Sequence, residues 1–478
     1  MKILLTGATG YIGQRLLYIL LKKDFEVYCL VRDTNRVPWF DLPNIPKYIE
    51  GNLLEANSLS SLPKDINAAY YLVHSMSDSS SGFSKKEEQC VNNFVQYVNT
   101  TSCQQVIYLS GLANAEKLST HLESRLQTGN LLRNANCAIT ELRAGIIVGS
   151  GSASFEIIRD LVEKLPVMIT PSWLRTRCQP IAIRDVLYYL EHVLLHPQCL
   201  NQIFDIGSRD VLTYKEMLLT YAEVRQLRRY IYTLPVFSPR LSSYWLYFIT
   251  AANYHLAVSL VDSMKVEVVC RDLKLTEIFD HEPLSYRKAI ELALKRIAQN
   301  QVTSSWTDSF TSSGFPAPIS QFIQPPKFGC YKDYRTMPVE NMKQVKKNIW
   351  QIGGENGWYY GNWLWKLRGF FDILAGGVGL RRGRRDPKKL QTGDALDFWR
   401  VLVADEANNR LLLYAEMKLP GEAWLEFSIV KNEESRMVKQ TATFRPHGLW
   451  GRVYWYMVLP FHHFIFSGML RKIVQKNG

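Results

Sequence analysis

The sequence has no clustered cysteines. Its eight (Cys29, Cys90, Cys103, Cys137, Cys178, Cys199, Cys270, Cys330) are scattered, with no CxxC or CxxH spacing. That pattern excludes a dense disulfide framework and a structural zinc site, so no metal is expected. Isolated thiols suit a reducing cytoplasm. No nucleic-acid motif is present either, and nucleic acid is not an expected partner. Room for a signal peptide is also lacking: Lys2-Ile3-Leu4-Leu5 already reads as a strand and runs straight into a glycine loop. A cytoplasmic protein is the expectation.

Large apolar groups are scarce between residues 299 and 326, where Ser, Thr, Gln, Gly and Pro dominate. Such a segment buries little and serves as a linker. The chain therefore divides into residues 1–300, a linker at 301–328, and residues 329–478. Both flanking parts are globular by composition, the whole being 47% apolar and 21% charged. The formal charge of +13 suits a surface that meets phosphate or anionic lipid.

The opening residues carry the strongest chemical signal. Ile3-Leu4-Leu5 is a short apolar run suited to a buried parallel strand. Thr6-Gly7-Ala8-Thr9-Gly10-Tyr11-Ile12-Gly13 follows, then a helix rich in leucine, then a strand over residues 25–31. Glycines at these points permit a tight turn, close approach of a pyrophosphate to backbone N–H groups, and tight helix–strand packing. The helix N-terminus adds unpaired donors and a partial positive charge. Gly7, Thr9, Gly10, Tyr11, Ile12 and Gly13 are the candidate dinucleotide contacts. Arg32 stands where an NAD enzyme usually places a carboxylate, which favours NADP(H) over NAD(H). Further strands at residues 48–53, 69–74, 105–111 and 138–143, separated by helical stretches, continue a doubly wound parallel Rossmann sheet.

At this point the chain resembles the extended short-chain dehydrogenase/reductases, most closely an atypical branch of NmrA-like and NAD-dependent-epimerase-like proteins. The likeness covers residues 1–300. It rests on the glycine loop, Asn52-Leu53-Leu54, Tyr108-Leu109-Ser110-Gly111, residues 142–149 and residues 179–186. It implies that Asn52 and Leu53 lie near adenine and that Ser110 is the catalytic serine. His74, which follows a strand, is placed to approach the nicotinamide. Where the family carries Tyr-x-x-x-Lys, this chain has His121 and Arg125. Imidazole titrates near neutrality unaided, but a fixed cation one turn away favours its neutral form. The family's usual proton machine is therefore not reproduced.

Asp185 precedes an apolar-periodic helix and is expected to cap it. Arg175 and Arg177 are loop charges or an anion clamp. A small substrate lobe is expected between residues 150 and 300. Within it, residues 242–261 carry no formal charge and read as a buried helix pair.

Beyond the linker, residues 348–352 read as a strand and 358–374 as an aromatic helix. Residues 395–405, 410–419, 423–431 and 437–444 read as an antiparallel meander. The last element is a long aromatic helix over 449–476 interrupted by Pro460. This order resembles an α+β helix-grip (START-like) C-terminal domain of unknown function, which implies a small apolar substrate or ligand. The stretch 454–469, flanked by Arg452 and Arg471-Lys472, and the cluster Arg381, Arg382, Arg384, Arg385, Lys388 and Lys389 suit peripheral membrane contact through the C-terminal helix.

Overall fold

A computed structural model of the chain describes residues 1–32, 34, 44–73, 83–112, 120–234, 262–298, 325, 330–380, 383–386, 389–431 and 436–475. It separates into two compact units, residues 1–314 and 315–478.

The first unit is built on a seven-stranded sheet. Its strands are β1 (Lys2–Thr6), β2 (Glu26–Val31), β3 (Lys47–Glu50), β4 (Ala68–Tyr71), β5 (Gln105–Gly111), β6 (Ala138–Ala144) and, later in the chain, Ile203–Ile206. All pair in parallel, in the order Ile203–Ile206, β6, β5, β4, β1, β2, β3. Alternate residues of each strand feed two cores. Ile3, Leu5, Val27 and Cys29 pack with Leu16, Leu17 and Leu20 of α1 (Tyr11–Lys22). Leu4, Ala69, Tyr71 and Val106 pack with Val91, Phe94 and Val95 of α2 (Phe83–Val98). Burial on both faces explains the near-continuous apolar strands and makes this a doubly wound Rossmann sheet.

Short strands and helices follow: α3 (Thr120–Leu132), β7 (Ile147–Val148), α4 (Ala153–Lys164), β8 (Val167–Pro171), β9 (Arg177–Cys178), β10 (Ile181–Ala182) and α5 (Ile183–His192). They continue with β11 (Ile203–Ile206), β12 (Leu212–Thr213), α6 (Tyr214–Val224), β13 (Tyr230–Leu234), α7 (Lys274–Ile278) and α8 (Tyr286–Ala298). Asp185 does not cap α5: Ala182 holds that position, and Asp185 sits buried in the first turn. Its carboxylate accepts from Leu284 N–H at 2.9 Å and lies 3.0 Å from His281 Nε2. Gln179 bonds Cys270 N–H and the Ser208 carbonyl, while Asp205 takes Arg271 N–H. The polar residues around 179–186 therefore pin the 268–284 segment to the sheet, a non-local duty that sequence spacing does not reveal. Arg177 pairs with Glu267 at 2.8 Å, and Arg175 is exposed. Residues 242–261 lie outside the described residues.

In the second unit a six-stranded antiparallel sheet runs in the order β14, β19, β18, β17, β16, β15. These are β14 (Tyr331–Pro338), β15 (Ala395–Leu396), β16 (Trp399–Asp405), β17 (Arg410–Ala415), β18 (Gly421–Lys431) and β19 (Arg436–Pro446). Three helices accompany it: α9 (Met342–Trp350), α10 (Asn362–Leu374) and α11 (Gly448–Gln475). Trp358, Trp365, Phe398, Leu413, Phe427, Phe466 and Met469 meet in one core between sheet and helices.

The strand expected at 348–352 is instead the end of α9. Asn341 caps this helix by accepting Gln344 N–H, and Val345 and Ile349 share its buried side. The edge strand is β14, whose more buried positions include Asp333 and Arg335. Arg335 pairs with Asp333 at 2.9 Å and also bonds Ser467 of α11. Pro460 does not end α11, which runs through it.

Candidate functional site

The sheet order reverses between β1 and β4, because the chain builds β2 and β3 on one side before crossing to β4. In open α/β sheets ligands bind at the carboxyl ends of the strands flanking such a reversal. The glycine loop lies at that edge, and its shape depends on absent side chains. Gly7 adopts φ +77°, and a Cβ there would come within 2.6 Å of the Leu72 carbonyl oxygen, just past β4. A Cβ on Gly13 would stand 2.1 Å from the Gly7 carbonyl oxygen. Gly10 N–H donates to that same carbonyl at 2.9 Å and closes the turn.

Gly10 is also the N-cap of α1, with extended backbone and no capping side chain, and no acidic residue occupies the first turn. First-turn N–H groups have no intrahelical acceptor and carry about +0.5 elementary charge together. Thr9, Tyr11 and Ile12 are partly exposed around them. The result is a cradle of backbone donors without side-chain obstruction, which fits a dinucleotide pyrophosphate. Arg15 braces its floor: the buried guanidinium donates to Ser150 O at 2.7 Å and lies 4.4 Å from the Tyr11 ring centroid. Arg15 was not singled out by sequence reasoning, since an arginine among leucines on an apolar helix reads as a solvent-facing residue.

Arg32 is exposed directly after β2, at the same edge of the sheet as the loop. Asn52 serves its own turn, its side-chain oxygen accepting Leu54 N–H at 3.2 Å and its amide donating to Glu55 at 3.1 Å. Leu53 is buried, and its carbonyl accepts from Asn93 of α2 at 2.8 Å. His74 lies outside the described residues.

At the end of β5, Arg125 comes against Gly111, the residue after Ser110. Ser110 is 1% exposed, and its hydroxyl has no hydrogen-bond partner among the described residues. A Cβ on the adjacent Gly111 would stand 3.3 Å from Arg125 Cδ. Burial pulls the Arg125 guanidinium below its ordinary pKa, while Tyr108 and Glu87 oppose the shift. His121 is the second residue of α3, one turn before Arg125. Sequence reasoning missed the neighbours. Tyr108, two residues before Ser110, donates to the Arg125 carbonyl at 3.1 Å, and burial pushes its phenol up to about 12. Across the β5–β6 pair, Ser110 aligns with Arg143, which is buried and bonded to Glu141 at 2.8 Å. No group of His, Cys, Asp and Glu among the described residues has the arrangement of a metal site.

Residues 3–156 match the NAD dependent epimerase/dehydratase family, and residues 329–469 match a family described as a protein of unknown function, DUF2867. No curated protein matches the chain. Among solved structures, Pal from Bacillus thuringiensis is similar at 13% identity and TM-score 0.50, over 63% of this chain and 99% of its own. A nucleoside-diphosphate-sugar epimerase from Staphylococcus aureus is 16% identical over 61% of this chain and 100% of its own, with TM-score 0.49. A dTDP-glucose 4,6-dehydratase from Bacillus anthracis, in complex with NAD, is 13% identical over 63% and 97%, with TM-score 0.47. The first unit thus has a Rossmann-like α/β fold similar to that of the epimerase/dehydratase family its residues 3–156 match, and the β-rich second unit contains the residues that match DUF2867.

Proposed function

We propose that the protein is an NADP(H)-dependent oxidoreductase of the atypical short-chain dehydrogenase/reductase kind, acting on an apolar carbonyl, quinone or lipid-like compound. The observation that carries this reading is the glycine cradle at the sheet reversal, with Ser110 near the end of β5 and Arg125 against the adjacent Gly111. In it, N–H groups at the mouth of α1 hold the pyrophosphate, and Asn52 and Leu53 flank the adenine side. Arg32 takes the 2′-phosphate, a charge-assisted contact worth about 1.5–3 kcal/mol. The bound nicotinamide supplies hydride chemistry. Ser110 offers its hydroxyl to the reacting oxygen, and His121 holds the proton to be exchanged there. Arg125, one turn after His121, keeps a fixed positive charge where the family has lysine. The meander and the long terminal helix support a START-like role for the second unit, holding the apolar ligand.

Arginine in the lysine position also favours a second reading, a non-catalytic NAD(P)H sensor or scaffold. NADPH oxidation across a panel of quinones and apolar aldehydes separates the two. The oxidoreductase reading expects turnover that drops at least about a hundredfold in Ser110→Ala and in His121→Ala, the lower end for a lost acid–base contact. Tight NADPH binding with no oxidation on any panel member would replace it with the sensor.

A further inference from the structure

We propose that the C-terminal unit docks on an anionic lipid bilayer through one apolar, basic-rimmed surface built jointly by α10 and α11. Helix α11 is apolar on two opposite sides. One stripe, including Phe466, Met469 and Ile473, packs into the core, and Trp455 is buried against the Phe444 and Tyr331 rings. The other faces outward, with Trp450 79%, Tyr456 62% and Phe461 55% exposed. Helix α10 repeats the pattern. Trp365 and Gly369 point inward, while Trp363 is 65% exposed and Phe370 and Phe371 are each 55% exposed. More than half of the large apolar side chains that are exposed among the described residues lie on these two helices. Patches of this kind mark interaction surfaces.

The two helices approach each other at the start of α10. The Tyr360 ring, next to the start of α10, packs 5.1 Å from Phe464 of α11, and a Cβ on Gly361 would meet Ile465 at 3.6 Å. At the other end, Arg368 donates to the Lys418 carbonyl at 3.0 Å, and Gly451 abuts the Pro420 carbonyl in the same turn. The helices therefore run antiparallel over one side of the unit.

Charge selects the occupant. Lys366, Arg368, Asp372, Arg452, Arg471 and Lys472 are the formal charges on the two helices. The only carboxylate, Asp372, is fully buried and accepts Gly379 N–H at 2.8 Å and Lys418 N–H at 2.6 Å. Every exposed charge on this surface is basic. Residues 315–478 hold 25 of the 57 basic and 14 of the 44 acidic residues, so +11 of the net +13 resides there. A second copy docked face to face would set like charges against each other. Anionic headgroups complement them, and Trp, Tyr and Phe suit the interfacial depth. No helix among the described residues is long and apolar enough to cross a membrane, and the inner stripe of α11 is already committed to the core. The surface lies in the membrane plane.

The arginine cluster after α10 contributes less than its sequence suggests. Arg384 donates to the Ile352 and Trp350 carbonyls, and Arg385 pairs with Asp394 at 2.9 Å. Arg381, Arg382 and Lys388 lie outside the described residues, and Lys389 is exposed.

Co-sedimentation of the full chain with vesicles tests the proposal, comparing phosphatidylcholine alone with an equal mixture of phosphatidylcholine and phosphatidylglycerol. Binding to the mixed vesicles is expected, weakened by added salt and reduced at least about tenfold in the double variant Phe371→Ser, Phe461→Ser. Both side chains are exposed, so the variant should melt as the parent does. Lys366→Glu with Arg452→Glu should lose preference for the mixed vesicles. Absence of binding to either vesicle, or undiminished binding by the variants, overturns the proposal. So does a dimer in light scattering that the Phe371→Ser, Phe461→Ser variant dissolves, since that assigns the surface to a second copy.

Discussion

Replacing Gly10 and Gly13 separately by alanine should divide binding from folding, because the two glycines are crowded by different things. An alanine methyl at Gly13 would stand 2.1 Å from the Gly7 carbonyl oxygen and 3.0 Å from Ala8 Cα. Both are backbone atoms, so α1 must back away from the loop. Overpacking of this kind costs about 1–3 kcal/mol, against about 1 kcal/mol gained from better helix propensity. At Gly10 the same methyl meets only the Gly7 carbonyl oxygen, at 3.2 Å, and φ is an ordinary −81°. The cap loses a few tenths to about 1 kcal/mol, offset by a stiffer unfolded chain worth about 0.4–1 kcal/mol. Gly10→Ala should therefore melt within a degree or two of the parent. If the proposed pyrophosphate site is correct, however, that methyl would crowd a ligand approaching the first-turn N–H groups. One lost hydrogen bond to a charged phosphate costs about 1.5–3 kcal/mol, which is roughly a ten- to hundredfold loss of affinity. Gly13→Ala should lose both stability and affinity. Fluorescence titration with NADPH alongside thermal melting reads both effects. A Gly10→Ala protein that melts normally and binds NADPH as tightly as the parent would refute the assignment of this loop to a pyrophosphate.

Arg32→Ala should weaken NADPH about ten- to hundredfold and leave NADH nearly unchanged, since only the 2′-phosphate is lost; equal losses for both nucleotides in the same titration would remove Arg32 from the phosphate. His462→Phe should flatten the acid side of the stability profile. Burial beside Trp455 and Phe466 lowers the imidazole to about 4, so it stays neutral in the fold while the unfolded chain protonates near 6.5. The parent therefore keeps this contribution above about 6.5 and loses it as pH falls through about 4, up to about 3 kcal/mol. Urea midpoints measured across that window would exclude this assignment if parent and variant fell in parallel.

The Rossmann half was legible because its requirements are local. Gly13 is demanded by the Gly7 carbonyl within the same turn and Gly7 by its own positive φ, though the atom a Gly7 side chain would strike, the Leu72 carbonyl oxygen, lies past β4. The strands announce themselves by burial on both faces. What joins the lobe to that sheet was not legible. Asp185 looked like a cap because its neighbours are helical, yet its partners, His281 and Leu284, lie nearly a hundred residues away. The same limit applies in the second unit. The strands β16 to β19 were readable from alternation and from turns at Asn408-Asn409 and Pro420-Gly421. Strand β14 escaped because Asp333 and Arg335 fill its inner positions, satisfied by each other and by Ser467. Hydropathy also cannot separate the two apolar stripes of α11. Only packing tells Trp455 in the core from Tyr456 beside it in solvent.

The replacement of a lysine by Arg125 has a physical consequence beyond a change of residue name. A lysine one turn after the proton donor carries a compact, mobile charge that can follow the reacting group. Arg125 is held differently: its stem lies against Gly111, and its backbone carbonyl is tied to Tyr108. Guanidinium also retains its proton under any working condition, even with burial pulling its pKa down. Positive charge in this position is thus permanent, and the adjacent Tyr108 phenol is pushed up to about 12, too high to stand in for the missing tyrosine. Under the proposed function, a fixed cation there would hold a bound anion or an oxygen with partial negative charge more readily than it would deliver a proton. On that reading, reduction of a quinone, whose product anion needs charge stabilisation before protonation, would suit a permanent cation better than reduction of an unactivated ketone.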